Sequence, residues 1–312
     1  MANRLKDKVA IVTGSGRGIG RGIALLMAAE GAKVVVNDLG GAVDGTGGAT
    51  GPADEVVAEI KKKGGTAVAN YESVTTTEGG ERIIKTALDK FGKLDILIAV
   101  AGILRDRMYF NMTPEEWDGC LKVHLYGHYN VIRPACVIFR QQRHGRIVTF
   151  SSTSGLGNLG QANYSAGKEG IIGLTRTTAR DMGRYGVTAN AIRPAAWTRM
   201  TMTPELQAAM ERARKAGVAG GSGVSPEQRM KMRRDPDDIA PFVVWLCTDA
   251  ASHVNGYDFM VRGGHVGLFT QPTEIRSIDK VGRWTLDELD MIAPVTVCAG
   301  TVNPSPPQAE KK

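Results

Sequence analysis

Residues 8–20 read KVAIVTGSGRGIG. Lys8–Thr13 is a short run rich in β-branched apolar residues, the composition of a buried strand. It passes directly into Thr13–Gly20, TGSGRGIG, where glycine recurs at positions 14, 16, 18 and 20. A helical pattern begins at Ile19. Strand, glycine turn and helix in immediate succession predict the opening of a β-α-β unit.

The same rhythm continues along the chain. Lys33–Asn37, Thr66–Asn70, Leu94–Val100, Arg146–Phe150 and Val187–Ile192 read as further strands. Ile19–Glu30, Ala53–Lys63, Gly80–Phe91, Pro114–Arg140 and Ala162–Tyr185 read as helices. Such alternation predicts an α/β fold, a doubly wound parallel sheet with helices on both faces and right-handed crossovers. No internal repeat or linker interrupts residues 1–264, which are expected to form one domain. Within it, Thr201–Asp235 carries KAGVAGGSGVSPEQ and is expected to be a mobile region over the substrate. Residues 265–312 form an extension, expected to pack at an interface. In it Thr285 and Glu288 have the spacing of a capping box, and PSPPQAEKK at the end is expected to be disordered.

Composition narrows the function. Of 312 residues, 42% are hydrophobic and 23% charged, ordinary values for a soluble globular chain. The N-terminus lacks the apolar run of a signal peptide, and no stretch reaches the ~18 apolar residues of a membrane span. Cys120, Cys136, Cys247 and Cys298 are scattered without a CxxC pair, so buried thiols rather than a metal site are expected. A reducing, cytoplasmic compartment is consistent with that. The net charge of +7 comes from 39 basic and 32 acidic residues that are interspersed. Without a basic block this argues against nucleic acid and suits an anionic small ligand, such as a nucleotide or coenzyme A.

A glycine turn between strand and helix lets backbone amides approach a pyrophosphate, and the helix N-terminus adds positive partial charge. Gly14, Gly18 and Gly20 depart from the G-x-G-x-x-G spacing, because position 19 is Ile, and taken alone the turn could be structural. The second strand supplies the next signal. It ends at Asn37-Asp38, and an acid at this distance meets an adenosine ribose. Asp38 would accept hydrogen bonds from the ribose diol and repel a 2′-phosphate, favouring NAD. Arg17, inside the glycine loop, could instead reach the 2′-phosphate of NADP.

Residues 160–170 read GQANYSAGKEG. Tyr164 and Lys168, four apart, share one helix face. A free phenol, with a pKa near ~10, is a poor base at neutral pH, and a nearby ammonium favours its ionised form. Tyr164 could then take a proton from an alcohol while a hydride leaves for the nicotinamide.

Together TGSGRGIG, Asp38, the serines of FSS (150–152) and YSAGK (164–168) resemble the short-chain dehydrogenase/reductase family over residues 5–265. The resemblance implies a seven-stranded Rossmann-like sheet, a Ser-Tyr-Lys catalytic set and a homodimer or homotetramer. Lys168 would also hold the nicotinamide ribose. Beyond the glycine loop (Gly14, Arg17, Gly18, Ile19, Gly20) and Asp38, the implied cofactor contacts are Ser73, Val74, Ala101, Gly102, Tyr164, Lys168 and Pro194. The serine is ambiguous. Counting back from Tyr164 selects Ser151, whereas counting along GRIVTFSS selects Ser152, which is preferred because strand geometry shifts less than a loop.

Three positions depart from the family pattern. Ala99-Val100-Ala101-Gly102 stands where Asn-Asn-Ala-Gly is usual, His124 stands at a tetrad Asn, and Pro194-Ala195 replaces Pro-Gly. His124 is either a polar relay or a satisfied core histidine. VVVNDLGG, VANYESV, AGILRDRM, VHLYGH and VVWLC are most similar to one branch, the (3R)-hydroxyacyl-CoA dehydrogenase module of peroxisomal multifunctional enzyme type 2 and its bacterial stand-alone relatives. That branch implies oxidation of (3R)-3-hydroxyacyl-CoA with NAD. The ending AEKK is not a peroxisomal address. Arg212, Arg214, Lys215, Arg229, Lys231, Arg233 and Arg234 are candidates for the coenzyme A phosphates. The alternatives are an NADPH-dependent 3-oxoacyl-carrier-protein reductase, a steroid or alcohol dehydrogenase of the same family, and a non-catalytic nucleotide-binding scaffold.

Overall fold

A computed structural model describes residues 3–198 and 235–304. Apolar alternation along the strands builds the central layer. On β1 (Val9–Thr13), Ala10 and Val12 face one side and Val9 and Ile11 the other, all buried. β2 (Lys33–Asn37) and β3 (Thr66–Asn70) flank β1 on one side, and β4 (Ile96–Ala99), β5 (Gly145–Phe150), β6 (Val187–Pro194) and β7 (Asp258–Arg262) follow on the other. All these pairings are parallel. An eighth strand, β8 (His265–Leu268), joins β7 antiparallel, one more than the seven parallel strands expected. Residues 265–268, expected to open the extension, thus belong to the sheet, and the first compact unit runs to Phe269.

Helices cover both faces, so each strand needs apolar side chains in both directions. Against one face pack α1 (Gly18–Ala29), α2 (Gly51–Lys62) and α7 (Ala240–Leu246), through Ile23, Met27, Val56, Ile60 and Val243. Against the other pack α3 (Thr77–Phe91), α5 (Gly127–Gln142) and α6 (Ala162–Gly183), through Ile83, Ala87, Val131, Phe139 and Ala179. The single helix expected over 114–140 is interrupted. α4 (Pro114–Leu121) and α5 are joined by a π-helical turn over Lys122–Tyr126, which carries His124. Such a turn inserts one residue into the helix and re-aims a side chain.

Winding reverses between β1 and β4, so their carboxyl ends splay and leave a crevice. Two glycines shape its floor. Gly14 has φ +64°, and a Cβ there would lie 2.8 Å from Ala101 Cα. A Cβ on Gly20 would lie 2.3 Å from the Gly14 carbonyl oxygen. α1 can therefore begin directly under the loop only because these positions have no side chain.

The second unit, from Thr270, contains α8 (Leu286–Ile292). Its capping box is present: Thr285 Oγ1 accepts from the Glu288 amide at 3.2 Å, and Glu288 Oε2 accepts from the Thr285 amide at 2.8 Å. None of its described residues is buried. Nearly all of the region expected to be mobile (Thr201–Asp235), its basic candidates and the last eight residues lie outside the described residues. Among the described residues no helix is long and apolar enough to cross a membrane.

Gly20→Ala is expected to cost about 1–3 kcal/mol, the usual scale of overpacking, because the added methyl must displace the Gly14 carbonyl. Urea denaturation reads this directly. An unchanged midpoint would mean that the loop opens freely.

Candidate active site

A cavity of about 790 Å³ occupies the crevice. Gly14, Arg17, Gly18, Ile19, Gly20, Asp38, Ser73, Val74, Ala101, Gly102, Ser152, Tyr164, Lys168 and Pro194 all line it. The Ser-Tyr-Lys set and every implied cofactor contact therefore reach one space, although they span 181 positions from 14 to 194.

The glycine-loop end is built to receive an anion. No side chain caps α1, and no acid sits in its first turn. By contrast, Thr76 caps α3 and Thr113 caps α4. Asp38 is held at the loop: its Oδ2 accepts from the Gly16 amide at 2.8 Å and its Oδ1 from the Gly40 amide at 2.7 Å. Each oxygen keeps a lone pair for a diol. The missing asparagines after β4 leave no gap in the backbone bonding. Thr13 Oγ1 accepts from the Val100 and Ala101 amides at 3.1 and 3.3 Å. These residues fit a dinucleotide.

At the other end, β5 delivers the serine pair and α6 the tyrosine and lysine. The two serines separate by role. Ser151 is buried and donates its hydroxyl proton to the Lys168 carbonyl at 2.7 Å, so it ties strand to helix. Ser152 lines the cavity together with Tyr164, and its hydroxyl pulls the phenol's pKa down. Ser152 Oγ also accepts from the Ser154 amide at 3.1 Å, which fixes its rotamer. Lys168 lies with its Nζ 5.4 Å from the Tyr164 ring centre and donates to the Phe150 carbonyl at 2.7 Å.

Burial, not the ammonium, dominates the ionisation of this pair. It pushes the Tyr164 phenol above its ordinary value, against the smaller downward pull of the Ser152 hydrogen bond. It also pulls Lys168 down to about 7, because a buried ammonium loses its hydration. The sequence reading weighed the nearby ammonium, whereas burial is the larger influence on both groups here.

His124 sits behind the pair rather than in the cavity lining. Its ring meets the Tyr164 ring edge-on, centres 4.9 Å apart. Nε2 is within 2.8 Å of the Ile103 carbonyl and 3.2 Å of the Ile103 amide, while buried Nδ1 has no partner among the described residues. Burial holds its pKa well below the ordinary value, so it is neutral. Gly102 makes room for it: a Cβ there would lie 2.6 Å from His124 Cε1.

The sequence reading missed one wall. Gln161 lines the cavity and is clamped at both ends of its amide. Its Nε2 donates to Asp106 Oδ2 at 2.7 Å, and its Oε1 accepts from Asn158 Nδ2 at 2.7 Å. Burial raises the Asp106 pKa. A signal was present, since Gln161 stands three residues before Tyr164 and thus one turn away on the same face. Asn163 holds this end of α6, donating to the Arg105 and Glu116 carbonyls, both at 2.9 Å.

The chain is similar to several known proteins. A family model described as enoyl-(acyl carrier protein) reductase matches residues 14–265. A Mycobacterium tuberculosis protein named as a short-chain type dehydrogenase/reductase is 48% identical over 263 residues, 84% of each chain. The mouse peroxisomal multifunctional enzyme type 2 is 44% identical over 265 residues, 85% of this chain but 33% of that enzyme. A hydroxyacyl-CoA dehydrogenase of M. tuberculosis, ChsB1, is 38% identical over 91% of this chain and 87% of its own. The crystal structure of a short chain dehydrogenase from Mycobacterium avium superposes with a TM-score of 0.79, at 38% identity, over 97% and 98% of the two chains.

The buried lysine leaves a trace in stability. With its pKa lowered to about 7 in the folded chain, the unfolded state binds the extra proton from there up to ~10.4. Stability contributed at this site is therefore lost as pH falls through that window and regained as pH rises. Measured as unfolding free energy without cofactor, the wild type is expected to gain on Lys168→Met between pH 7 and pH 10. A constant difference would mean that Lys168 titrates as an exposed lysine.

Proposed function

We propose that this chain, which belongs to the short-chain dehydrogenase/reductase family, uses NAD to interconvert (3R)-3-hydroxyacyl-CoA and 3-oxoacyl-CoA. Membership makes it an oxidoreductase dependent on NAD(P). The observation that carries the finer reading is the meeting of Ser152, Tyr164 and Lys168 with the glycine loop and Asp38 in one cavity. The relatives named as a hydroxyacyl-CoA dehydrogenase and as peroxisomal multifunctional enzyme type 2 support the acyl-CoA assignment. A net charge of +7 suits a polyanionic thioester. Asp38 supports NAD over NADP, since a 2′-phosphate beside its carboxylate would be repelled. The same reading includes a homodimer or homotetramer.

A bound nicotinamide supplies a hydride acceptor in oxidation and a donor in reduction. The protein manages the proton. In oxidation the Tyr164 phenolate takes the proton of the 3-hydroxyl, and in reduction the phenol returns it to the forming alkoxide. Ser152, which lines the cavity with the phenol, hydrogen-bonds the same substrate oxygen and steadies its developing charge. Lys168 spends one of its three donors on the Phe150 carbonyl, and the other two remain for a ribose. Because burial raises the phenol, oxidation is favoured by high pH and reduction persists at neutral pH.

Arg17 supports a second reading, an NADPH-dependent 3-oxoacyl-carrier-protein reductase, because it is exposed and lines the same cavity. Asp38 opposes it.

Initial rates at 340 nm with a (3R)-3-hydroxyacyl-CoA decide between them. Turnover with NAD well above that with NADP is expected, and Tyr164→Phe should lower kcat by about 10²–10⁴-fold, the scale of lost acid–base catalysis. Asp38→Ala should narrow the preference for NAD. Faster turnover with NADP, or full activity in Tyr164→Phe, would overturn the assignment.

A further inference from the structure

The catalytic set rests on a buried arginine that lies outside it. β6 is buried along nearly its whole length, and Arg193, one residue from its end, is 2% exposed. Removing a guanidinium from water costs several kcal/mol unless its donors are matched. Here they are matched by three different elements. Nε donates to Asp258 Oδ2 on β7 at 2.8 Å. Nη2 donates to Glu169 Oε1 on α6 at 3.3 Å, and Nη1 lies 3.0 Å from Glu169 Oε2. Nη1 also donates to the Ser152 carbonyl at 2.8 Å. The ring of Phe269 covers the guanidinium, its centre 4.9 Å away.

Two of these partners adjoin the chemistry. Ser152 is the serine beside the phenol, and Glu169 is the residue after Lys168. The turn that follows Ser152 presses on the same ion pair. A Cβ on Gly155 would lie 2.7 Å from Glu169 Oε2 and 3.2 Å from Arg193 Nη1. Asp258 is 1% exposed and takes a second guanidinium, Arg176 Nη2, at 3.2 Å, so its carboxylate is anchored independently.

We propose that Arg193 is a positioning residue, a rigid fork that locks the Ser152 backbone to α6 and so aims the Ser152 hydroxyl at Tyr164. A planar guanidinium holds three partners at fixed angles, which a lysine cannot do. A buried pair of this kind adds little net stability against an apolar replacement, and a fixed arrangement is the return for it. The proposal rests on the reading of Ser152 as part of the catalytic set.

Arg193→Lys keeps the charge beside Asp258 but cannot span Ser152 and Glu169 together. It is expected to lower kcat by about 10²-fold, the cost of misplacing a reacting group by an ångström, while the Kd for NADH stays unchanged. Unchanged NADH binding also shows that the variant folds. In a Ser152→Ala background the same substitution should add almost nothing, because both act through one hydroxyl. Effects that multiply across the two substitutions would assign Arg193 a general structural role and overturn the proposal. A crystal structure of Arg193→Lys needs no substrate and should show Ser152 turned away from Tyr164. A Ser152 that keeps its place overturns the proposal whatever the substrate proves to be. An inactive wild type, by contrast, would count against the acyl-CoA reading alone.

Discussion

The site depends on how α6 is bound to the end of β5. Lys168 Nζ donates to the Phe150 carbonyl, and the Lys168 carbonyl accepts from Ser151, so one residue is fastened to the strand by both its side chain and its backbone. A hydrogen bond with a charged partner contributes on the order of 1.5–3 kcal/mol and a neutral one about 0.5–1.5 kcal/mol, and both bonds here are shielded from water. With that joint in place, Tyr164 stands one turn away on the helix and Ser152 two residues past the end of the strand. The fork of Arg193 then reaches the same two elements from the opposite strand neighbour, β6. Sheet geometry is in this way transmitted to a hydroxyl and a phenol.

Burial sets the resting charge state. A phenol held neutral and a lysine brought down to about 7 describe a pocket that resists charge until something stabilises it. The neighbouring groups follow the same rule. Both buried histidines on the helix behind, His124 and His128, are held neutral, with His128 lowered to about 3. His128 Nδ1 lies 2.6 Å from the His124 carbonyl, its Nε2 accepts from the Phe150 amide at 3.4 Å, and Phe150 is the residue Lys168 also grips. A polar chain whose two histidines stay neutral therefore runs from the π-helical turn to Lys168.

Much of this was legible in the residues because local chemistry dictated it. The glycine turn needs positions without a Cβ, and the close approach of Gly20 to Gly14 shows why a side chain there would not fit. The i, i+4 spacing of Tyr164 and Lys168 survives in the structure because helical periodicity is local. What escaped the sequence depends on tertiary contacts. The break at Lys122–Tyr126 has no proline or glycine to announce it; Gly127 only follows it. The eighth strand depends on pairing with β7 rather than on its own pattern, GHVGLF being too short to stand out. Arg193 in VTANAIRP is the instructive miss. A charge in a buried strand with no other charged residue is visible as an anomaly, but its partners lie 24, 41 and 65 residues away in sequence.

The most direct test of the central claim is a crystal structure of the Tyr164→Phe protein with NAD and a (3R)-3-hydroxyacyl-CoA. Removing the phenolic oxygen is expected to slow turnover greatly while leaving the ring that packs against His124. The adenosine ribose is expected on Asp38, the nicotinamide ribose on Lys168 and the 3-hydroxyl on Ser152. A 3-hydroxyl bound away from Ser152, or a dinucleotide that leaves Lys168 uncontacted, would contradict it.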